Sequence, residues 1–511
     1  MRSRQKENLR RGMGRMAFVG ISILLQVLWL LGLIWRLNGL SVLFAVGAEV
    51  LALLLAVRIY SKPQNAAVKT SWIILLMVSP VLGICLYALC GRSGANWLMR
   101  RRFQAVQEPL ADKLPQDPAV KEALEAADRS AANQAHYLRS CGYPVYGNTD
   151  VEYYSTAEEG IAAQKEALRK AEHFIFMEYH AIEDSVSFQE IKEILAEKAR
   201  QGVEVRLFYD DMGSIGFINS AFVRRMRALG IQCRVFNPLL PVINVFMNNR
   251  DHRKITVVDG KVGFTGGYNL ADEYFNLVQP YGQWKDTGLK LTGDAVRSLT
   301  VMFLEMWNAM EHGDSDYNTY LFPQPYAARE TGFVLPYADS PLDNERVGEY
   351  VYMNIIKNAQ HRLYVMTPYL ILDDEMTLEL SLAARRGVDV RIITPGIPDK
   401  KLVYKVTRSY YAALVKNGVR VFEYSPGFLH AKMMLCDDHT AAVGTINLDY
   451  RSLYLHFENS VWLYKCSAIR AIAADFADTF PQCREVTEKY RARSGPMRFG
   501  QCLLRLFAPL M

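Results

Sequence analysis

Two stretches of this sequence carry the same reactive pattern. His252-Arg-Lys254-Ile-Thr-Val-Val-Asp259 and His430-Ala-Lys432-Met-Met-Leu-Cys-Asp437 both read H-x-K-x4-D. The copies agree beyond the pattern. Asn269 lies 17 residues after His252 and Asn447 lies 17 after His430, while Gly266 and Gly444 lie 14 after them. A lone histidine on a strand is ordinarily a packing or surface residue, but a constellation repeated at matched spacing points to chemistry. His and Lys two apart on a strand share a face. The apolar residues between Lys and Asp bury the strand, the small residues after it let a loop approach an anion, and Asn offers an amide N–H. Two His, two Lys and two Asn brought together make a phosphate site that needs no metal. One imidazole attacks phosphorus while the other protonates the leaving oxygen. Lysines and amides stabilise charge on the non-bridging oxygens.

The elements that must position these groups are duplicated too. HFIFMEYHAI (173–182) reads as a strand, FQEIKEILAEKARQG (188–202) has helical spacing and ends at Gly202, and VEVRLFYDD (203–211) is a second strand. The order recurs as RLYVMTPYLI (362–371), a helix through MTLELSLAARRG (376–387) and VDVRIITPG (388–396). GVEVRLFY and GVDVRIIT echo one another at an offset of 185 residues. Strands alternating with helices predict an α/β fold, and so long a period means two copies of a domain rather than a solenoid.

Composition narrows the classes further. With 511 residues, 50% apolar and 22% charged, the chain is not a largely disordered one. Its eight cysteines form no CxxC pair, which supports neither a zinc site nor a disulfide scaffold. The net charge of +6 is unevenly spread: residues 1–92 carry +9 and the remaining 419 carry −3. A body at −3 argues against broad nucleic-acid binding, which relies on neutralising a phosphate backbone. The basic segment is also the most apolar. Met16–Trp35 and Ser71–Cys90 are uncharged runs of 20 residues, and Leu40–Val57 is interrupted only by Glu49. About 20 apolar residues span a hydrocarbon core of ~30 Å, so two or three transmembrane helices are expected, the second being the least secure. The flanking Lys and Arg mildly favour a cytoplasmic N-terminus; which face carries the body stays open.

The paired motifs resemble the phospholipase D superfamily over roughly 150–487, and within it the bacterial cardiolipin synthases. The resemblance rests on the motifs and their flanks: 248–274, YGQWKDTGLKLTGDAV (281–296), 427–452 and HFENS (456–460). It implies an α/β fold with two tandem phospholipase D-like domains forming one pseudo-twofold catalytic unit, preceded by N-terminal transmembrane helices. The expected division is a membrane segment (1–92), a juxtamembrane connector (93–150), domain 1 (151–330), domain 2 (331–487) and an amphipathic tail (488–511). By the same resemblance His252 is the nucleophile that becomes phosphohistidine, and His430 is general acid, then base. Lys254, Lys432, Asn269 and Asn447 hold the phosphate. Asp259 and Asp437 complete the motifs in a structural role near strand ends. A downstream acid orients each histidine in such proteins, Glu458 being the candidate for the second motif and Asp286 for the first.

The implied reaction is phosphatidyl transfer at a bacterial cell membrane by a multi-pass protein. Phosphatidylglycerol and cardiolipin are its partners, without nucleic acid and without metal or other cofactor. The alternative is a hydrolase of the same superfamily acting on lipid or nucleic acid. A non-catalytic scaffold is disfavoured because both motifs are complete. Glu178, Asp184, Asp210 and Asp211 lie at strand ends, where α/β sites are often lined. Tyr369 is a candidate for the headgroup site or for packing, and the apolar stretch 238–249 for a lipid-facing loop or core. His180 and His456, among other single histidines, lack paired spacing and receive no role.

Overall fold

The computed structural model describes residues 12–26, 28–29, 32, 42–62, 65–91, 97–218, 221–239, 248–311, 313–314, 316–322, 325–343, 345–491 and 505. Most of the stretch 238–249, nearly all of the C-terminal tail and part of the first apolar run lie outside them.

Strands of the first half are β1 (Thr149–Tyr154), β2 (Phe174–Tyr179), β3 (Glu204–Asp210), β4 (Gln232–Phe236), β5 (Arg250–Asp251), β6 (Lys254–Val258), β7 (Val262–Gly266), β8 (Gln283–Lys285) and β9 (Gly288–Gly293). Those of the second are β10 (Phe333–Asp339), β11 (Arg362–Met366), β12 (Asp389–Pro395), β13 (Arg420–Tyr424), β14 (Gly427–Leu429), β15 (Met433–Cys436), β16 (Thr440–Gly444), β17 (His456–Tyr464) and β18 (Cys483–Glu485). One sheet runs β1-β9-β7-β6-β2-β3-β4 and the other β10-β17-β16-β15-β11-β12-β13-β18. The paths are equivalent strand by strand, with β18 added to the second. Within each, β2-β3-β4 and β11-β12-β13 are parallel. A parallel pair needs a crossover of a dozen or more residues, and helices Val186–Arg200 and Asp374–Arg385 supply it at the two duplicated positions.

The two halves share a core. Helix Val296–Met310 is buried on nearly every side, with Leu299, Phe303 and Trp307 inaccessible to solvent. An all-round apolar helix belongs inside a protein. Here it lies in a cluster with Phe176 and Phe208 of the first sheet and Val443, Val461 and Leu463 of the second. Phe103, Val106 and Leu110 of helix Trp97–Ala111 join the same cluster. Residues 97–150, within the stretch expected as a connector, thus contribute to the cores of both halves. Helix Arg129–Ser140 adds Ala131, Ala135 and Leu138 to the core of the second half.

Two short parallel ladders also cross between halves. β5 pairs with β17, and β8 pairs with β14. These ladders set the active-site geometry.

The N-terminal segment departs from the hydropathy expectation. Among the described residues no helix is long and apolar enough to cross a membrane. Helix Val42–Tyr60 includes Glu49 and Arg58. The third apolar run is two helices, Ala66–Val78 and Pro80–Leu86, separated by Ser79 at φ −142°. Proline lacks an N–H and pushes the preceding residue out of the helical region, so Pro80 ends one helix and begins the next. These helices pack on Val42–Tyr60 through Ala52, Ile59, Leu76 and Tyr87.

Candidate active site

The register of the crossing ladders places each motif histidine. In β5–β17, Asp251 faces Phe457, so the next residues, His252 and Glu458, lie side by side. The His252 amide donates to the Phe457 carbonyl at 2.9 Å. In β8–β14, Lys285 faces Leu429, which brings Asp286 beside His430, and the His430 amide donates to the Lys285 carbonyl at 2.7 Å. Each histidine is therefore held by an acid of the other half. His252 Nδ1 is 2.8 and 2.9 Å from the two Glu458 oxygens, and His430 Nδ1 is 2.6 Å from Asp286 Oδ2. The two acids expected beside the histidines lie there with partners exchanged: Glu458 contacts the histidine of the first motif and Asp286 that of the second. The reason is the ladder register, which joins strands distant in sequence.

Both carboxylates are buried and further restrained. Thr445 Oγ1 donates to Glu458 Oε2 and Ser452 Oγ to Oε1. Asp286 accepts the Thr287 amide at 3.0 Å. An ionised carboxylate can only accept, so each histidine donates its Nδ1–H to its acid and keeps the lone pair on Nε2. Lys254 and Lys432 stand two residues after their histidines on the same face. Lys254 Nζ donates to the His252 carbonyl at 2.7 Å, and Lys432 Nζ lies 2.7 Å from His430 Nδ1 and also reaches the His430 carbonyl.

The electrostatics follow from burial and crowding. Burial, then the charges of Lys254 and Lys432, push His252 well below the ordinary imidazole range. Burial and Lys432 bring His430 down to about 4, against the opposing pull of Asp286. Burial also lowers the lysines, Lys254 to about 8 and Lys432 to about 7. Burial drives Asp286 upward, but the Lys432 and His430 charges and hydrogen bonds outweigh it and hold this carboxyl below its usual range. The chemical result is two neutral imidazoles with oriented Nε2 atoms and two cationic, readily perturbed amines in one cluster.

Not every motif residue is at this cluster. Asp259 accepts the amides of Glu172, His173 and Phe174 at 2.7–2.9 Å. Asp437 does the same for Gln360, His361 and Arg362 at 2.8–3.1 Å. Both sit in left-handed turns, with φ of 53° and 49°. They tie the far end of the motif strand to the start of β2 or β11, so they are supports and not reacting groups, although they complete the motif. Asn269 spends its amide inside the protein: Oδ1 accepts from Ala181 N and Nδ2 donates to Tyr274 Oη. Asn447 keeps a buried Oδ1 without a partner among the described residues.

The glycines after each motif stand where a side chain would collide with a neighbouring strand or with the acid. A Cβ at Gly266 would overlap the Thr287 carbonyl, and one at Gly444 would overlap Ser460 of the adjacent strand. A Cβ at Gly267 would collide with the Asp286 carboxylate itself. Of the strand-end acids, Asp184 pairs with Lys192 and Arg225, and Asp210 with Arg250. Tyr369 Oη donates to Asp399 at 2.6 Å.

Residues that lacked paired spacing surround the histidines. The rings of His180 and His456 lie 4.9 and 5.6 Å from that of His252. Around His430 stand Trp284, Tyr274 and Phe428 at 5.2, 5.4 and 5.8 Å. The usable signal was position relative to the acids: Trp284 and His456 both lie two residues before one.

Comparison with known proteins agrees with this geometry. The family described as "Cardiolipin synthase, PLD-like domain" matches residues 165–307 and 352–480, and "Phospholipase_D-nuclease N-terminal" matches 50–92. An uncharacterized protein of Streptococcus mutans is 42% identical over 86% of this chain and 96% of its own. A cardiolipin synthase of Halalkalibacterium halodurans is 32% identical over 93% of this chain and 95% of its own. Among solved structures, a phosphatidylserine synthase of Haemophilus influenzae is similar in fold, with a TM-score of 0.54 at 15% identity over 74% of this chain and 97% of that one. This chain belongs to the family of cardiolipin synthases with phospholipase D-like domains.

Proposed function

We infer that this chain is a cardiolipin synthase that transfers a phosphatidyl group from one phosphatidylglycerol to another through a phosphohistidine. The carrying observation is the crossed pair of histidine–carboxylate couples, each assembled from both halves beside two lysines. Family membership supports the same reading.

In this mechanism Lys254 and Lys432 bind the phosphodiester, with Asn447 beside them. Neutral His252 attacks phosphorus through Nε2, forming P–N as the P–O bond to glycerol breaks. Glu458 stabilises the imidazolium that develops. His430 gives its Nε2 proton to the departing glycerol oxygen. Its low pKa in the free site does not oppose this role, because an anion bound within ~4–6 Å favours the protonated form. The terminal hydroxyl of a second phosphatidylglycerol then returns a proton to His430 and attacks phosphorus, releasing His252 and giving cardiolipin. One phosphodiester replaces another and protons balance. The residues assigned to catalysis are His252, Lys254, His430 and Lys432, with Glu458 and Asp286 as positioning residues.

The proposed division of the chain is a membrane-engaging segment in 1–92, a juxtamembrane stretch at 93–150, the two phospholipase D-like domains at 151–330 and 331–487, and a tail from 488. The N-terminal segment supports a bacterial cell-membrane location. Phe18, Ile21, Leu24, Leu25, Leu28 and Trp29 are exposed there, as are Val50, Leu53, Leu54 and Val57. Exposed apolar side chains in such number suit lipid.

The test is to incubate purified, detergent-solubilised protein with phosphatidylglycerol alone. Cardiolipin and glycerol are expected. Phosphatidic acid as the sole product would replace the synthase reading with a hydrolase. Full turnover by His252→Ala or His430→Ala would refute the shared site.

A further inference from the structure

His252, Glu458 and His456 form a second arrangement superposed on the catalytic one. One ligating atom of each lies within 4.8 Å of the others. His252 Nδ1 is 2.9 Å from Glu458 Oε1, and His456 Nδ1 is 3.7 Å from the same oxygen. These distances bracket the edge of a tetrahedral site, about 3.3 Å for metal–ligand bonds of about 2.0–2.1 Å.

His456 is the member that phosphoryl transfer leaves unexplained. Its Nδ1 and Nε2 are both buried, and among the described residues neither has a hydrogen-bond partner. Orphaned buried polar groups carry a cost and call for a reason. The other half has no equivalent. Two residues before Asp286 stands Trp284, packed on His430, whereas two residues before Glu458 stands His456, packed on His252. The pseudo-twofold fails at this position and gathers two imidazoles and a carboxylate on one side only.

We propose that His252, His456 and Glu458 form a reversible inhibitory site for a divalent transition metal of the zinc class. The binding stands on this geometry; the inhibition rests on the reading of His252 as nucleophile. In the active tautomer Nδ1–H of His252 donates to Glu458 and Nε2 holds the attacking lone pair. A metal on Nδ1 takes the electron pair of that nitrogen, and the ring proton moves to Nε2. No proton leaves the ring, but the nucleophilic pair is gone. Glu458 is drawn to the metal in the same step. Two imidazoles and one carboxylate leave a fourth position open, as in three-ligand zinc sites. Lys254 and Lys432 repel a cation here, so the site is weaker than a structural zinc centre and a chelator reverses it.

The test uses the full-length protein in detergent, stripped with EDTA. Zinc is titrated against a chromophoric chelator, and cobalt is added separately and read by its visible absorption. Expected are one metal per chain and cobalt bands of a four- or five-coordinate site. His456→Phe, which keeps a ring in place, and His456→Ala each weaken zinc at least about tenfold. They raise the zinc concentration that halves their own turnover by the same factor, and EDTA restores the wild-type rate. No bound metal in the wild type, or unchanged affinity in both variants, overturns the site. Zinc at full occupancy with undiminished turnover overturns the inhibition and, with it, the nucleophile assignment. The binding isotherms need no substrate, so a protein that made no cardiolipin would still report on the site.

Discussion

The crossed pairing makes a prediction that pairing within each repeat would reverse. Glu458→Gln keeps the volume and one acceptor beside His252 Nδ1 but removes the charge. Three groups now donate to that carboxylate: the His252 ring, Thr445 and Ser452. A hydrogen bond to a charged group is worth about 1.5–3 kcal/mol. The ion pair with a developing imidazolium at about 4 Å adds up to about 4 kcal/mol at an effective dielectric of about 20. The two overlap, and a net loss of about 3–5 kcal/mol of transition-state stabilisation corresponds to about 10²–10⁴ in rate. Asp286→Asn should cost a similar factor with phosphatidylglycerol, but for another reason: it disables His430, the proton donor to the leaving glycerol.

A substrate whose leaving group needs no proton separates the two. Phosphatidyl-p-nitrophenol should restore the formation of the phosphoenzyme in Asp286→Asn to within about tenfold of wild type. It should leave Glu458→Gln impaired, because attack by His252 is still required. The assay is the burst of p-nitrophenol under single-turnover conditions, with melting curves to show that both variants are folded. Rescue of Glu458→Gln and not of Asp286→Asn would refute the assignment of roles to the two halves. A Glu458→Gln rate within about threefold of wild type on phosphatidylglycerol would refute the importance of the charge.

Other outcomes follow from single contacts. Gly267→Ala places a methyl where the Asp286 carboxylate lies, so turnover on phosphatidylglycerol should fall by about 10² or more, with p-nitrophenyl rescue like that of Asp286→Asn. Asp437→Ala strands three backbone N–H groups, so the melting curve should lose about 2–4 kcal/mol while the kcat of the folded fraction changes little. In Asp437 burial raises the pKa, but those three N–H groups outweigh it and the net shift is downward. Its stabilisation is therefore complete above the unfolded value of about 3.9 and is lost as pH falls through the lower folded value; Asp437→Asn should unfold less steeply in acid. Lys432, lowered to about 7 by burial, binds anions only when protonated. The inhibition constant of a competing phosphate should rise with pH through that range, and Lys432→Arg should flatten the rise.

Much of this site was legible because it depends on local periodicity. The H-x-K pairs had to share a strand face, and the β-α-β order around them recurred, so equivalent sheets were expected and are present as β2-β3-β4 and β11-β12-β13. The structural role of Asp259 and Asp437 also followed from position, since each closes a motif strand. Pro80 carried a local signal that the 20-residue count passed over. Hydropathy sums composition, whereas one missing N–H divides the run at Ser79.

The exchange of acids was not legible, for a physical reason. Sequence distance ties Glu458 to His430, 28 residues before it, and Asp286 to His252, 34 before it. In the folded chain each acid follows a two- or three-residue stretch, His456-Phe457 or Gln283–Lys285, that pairs with the other half. No period within one copy encodes a ladder between copies. The consequence is functional. Each half carries its own motif strand, lysine and turn aspartate, but the carboxylate beside its histidine comes from the other half. Glu458 reaches His252, and Asp286 reaches His430, only after the halves have joined over Val296–Met310. The duplicated domain is therefore not two separate sites placed together; each histidine–carboxylate couple takes one member from each copy and exists only across the interface between them.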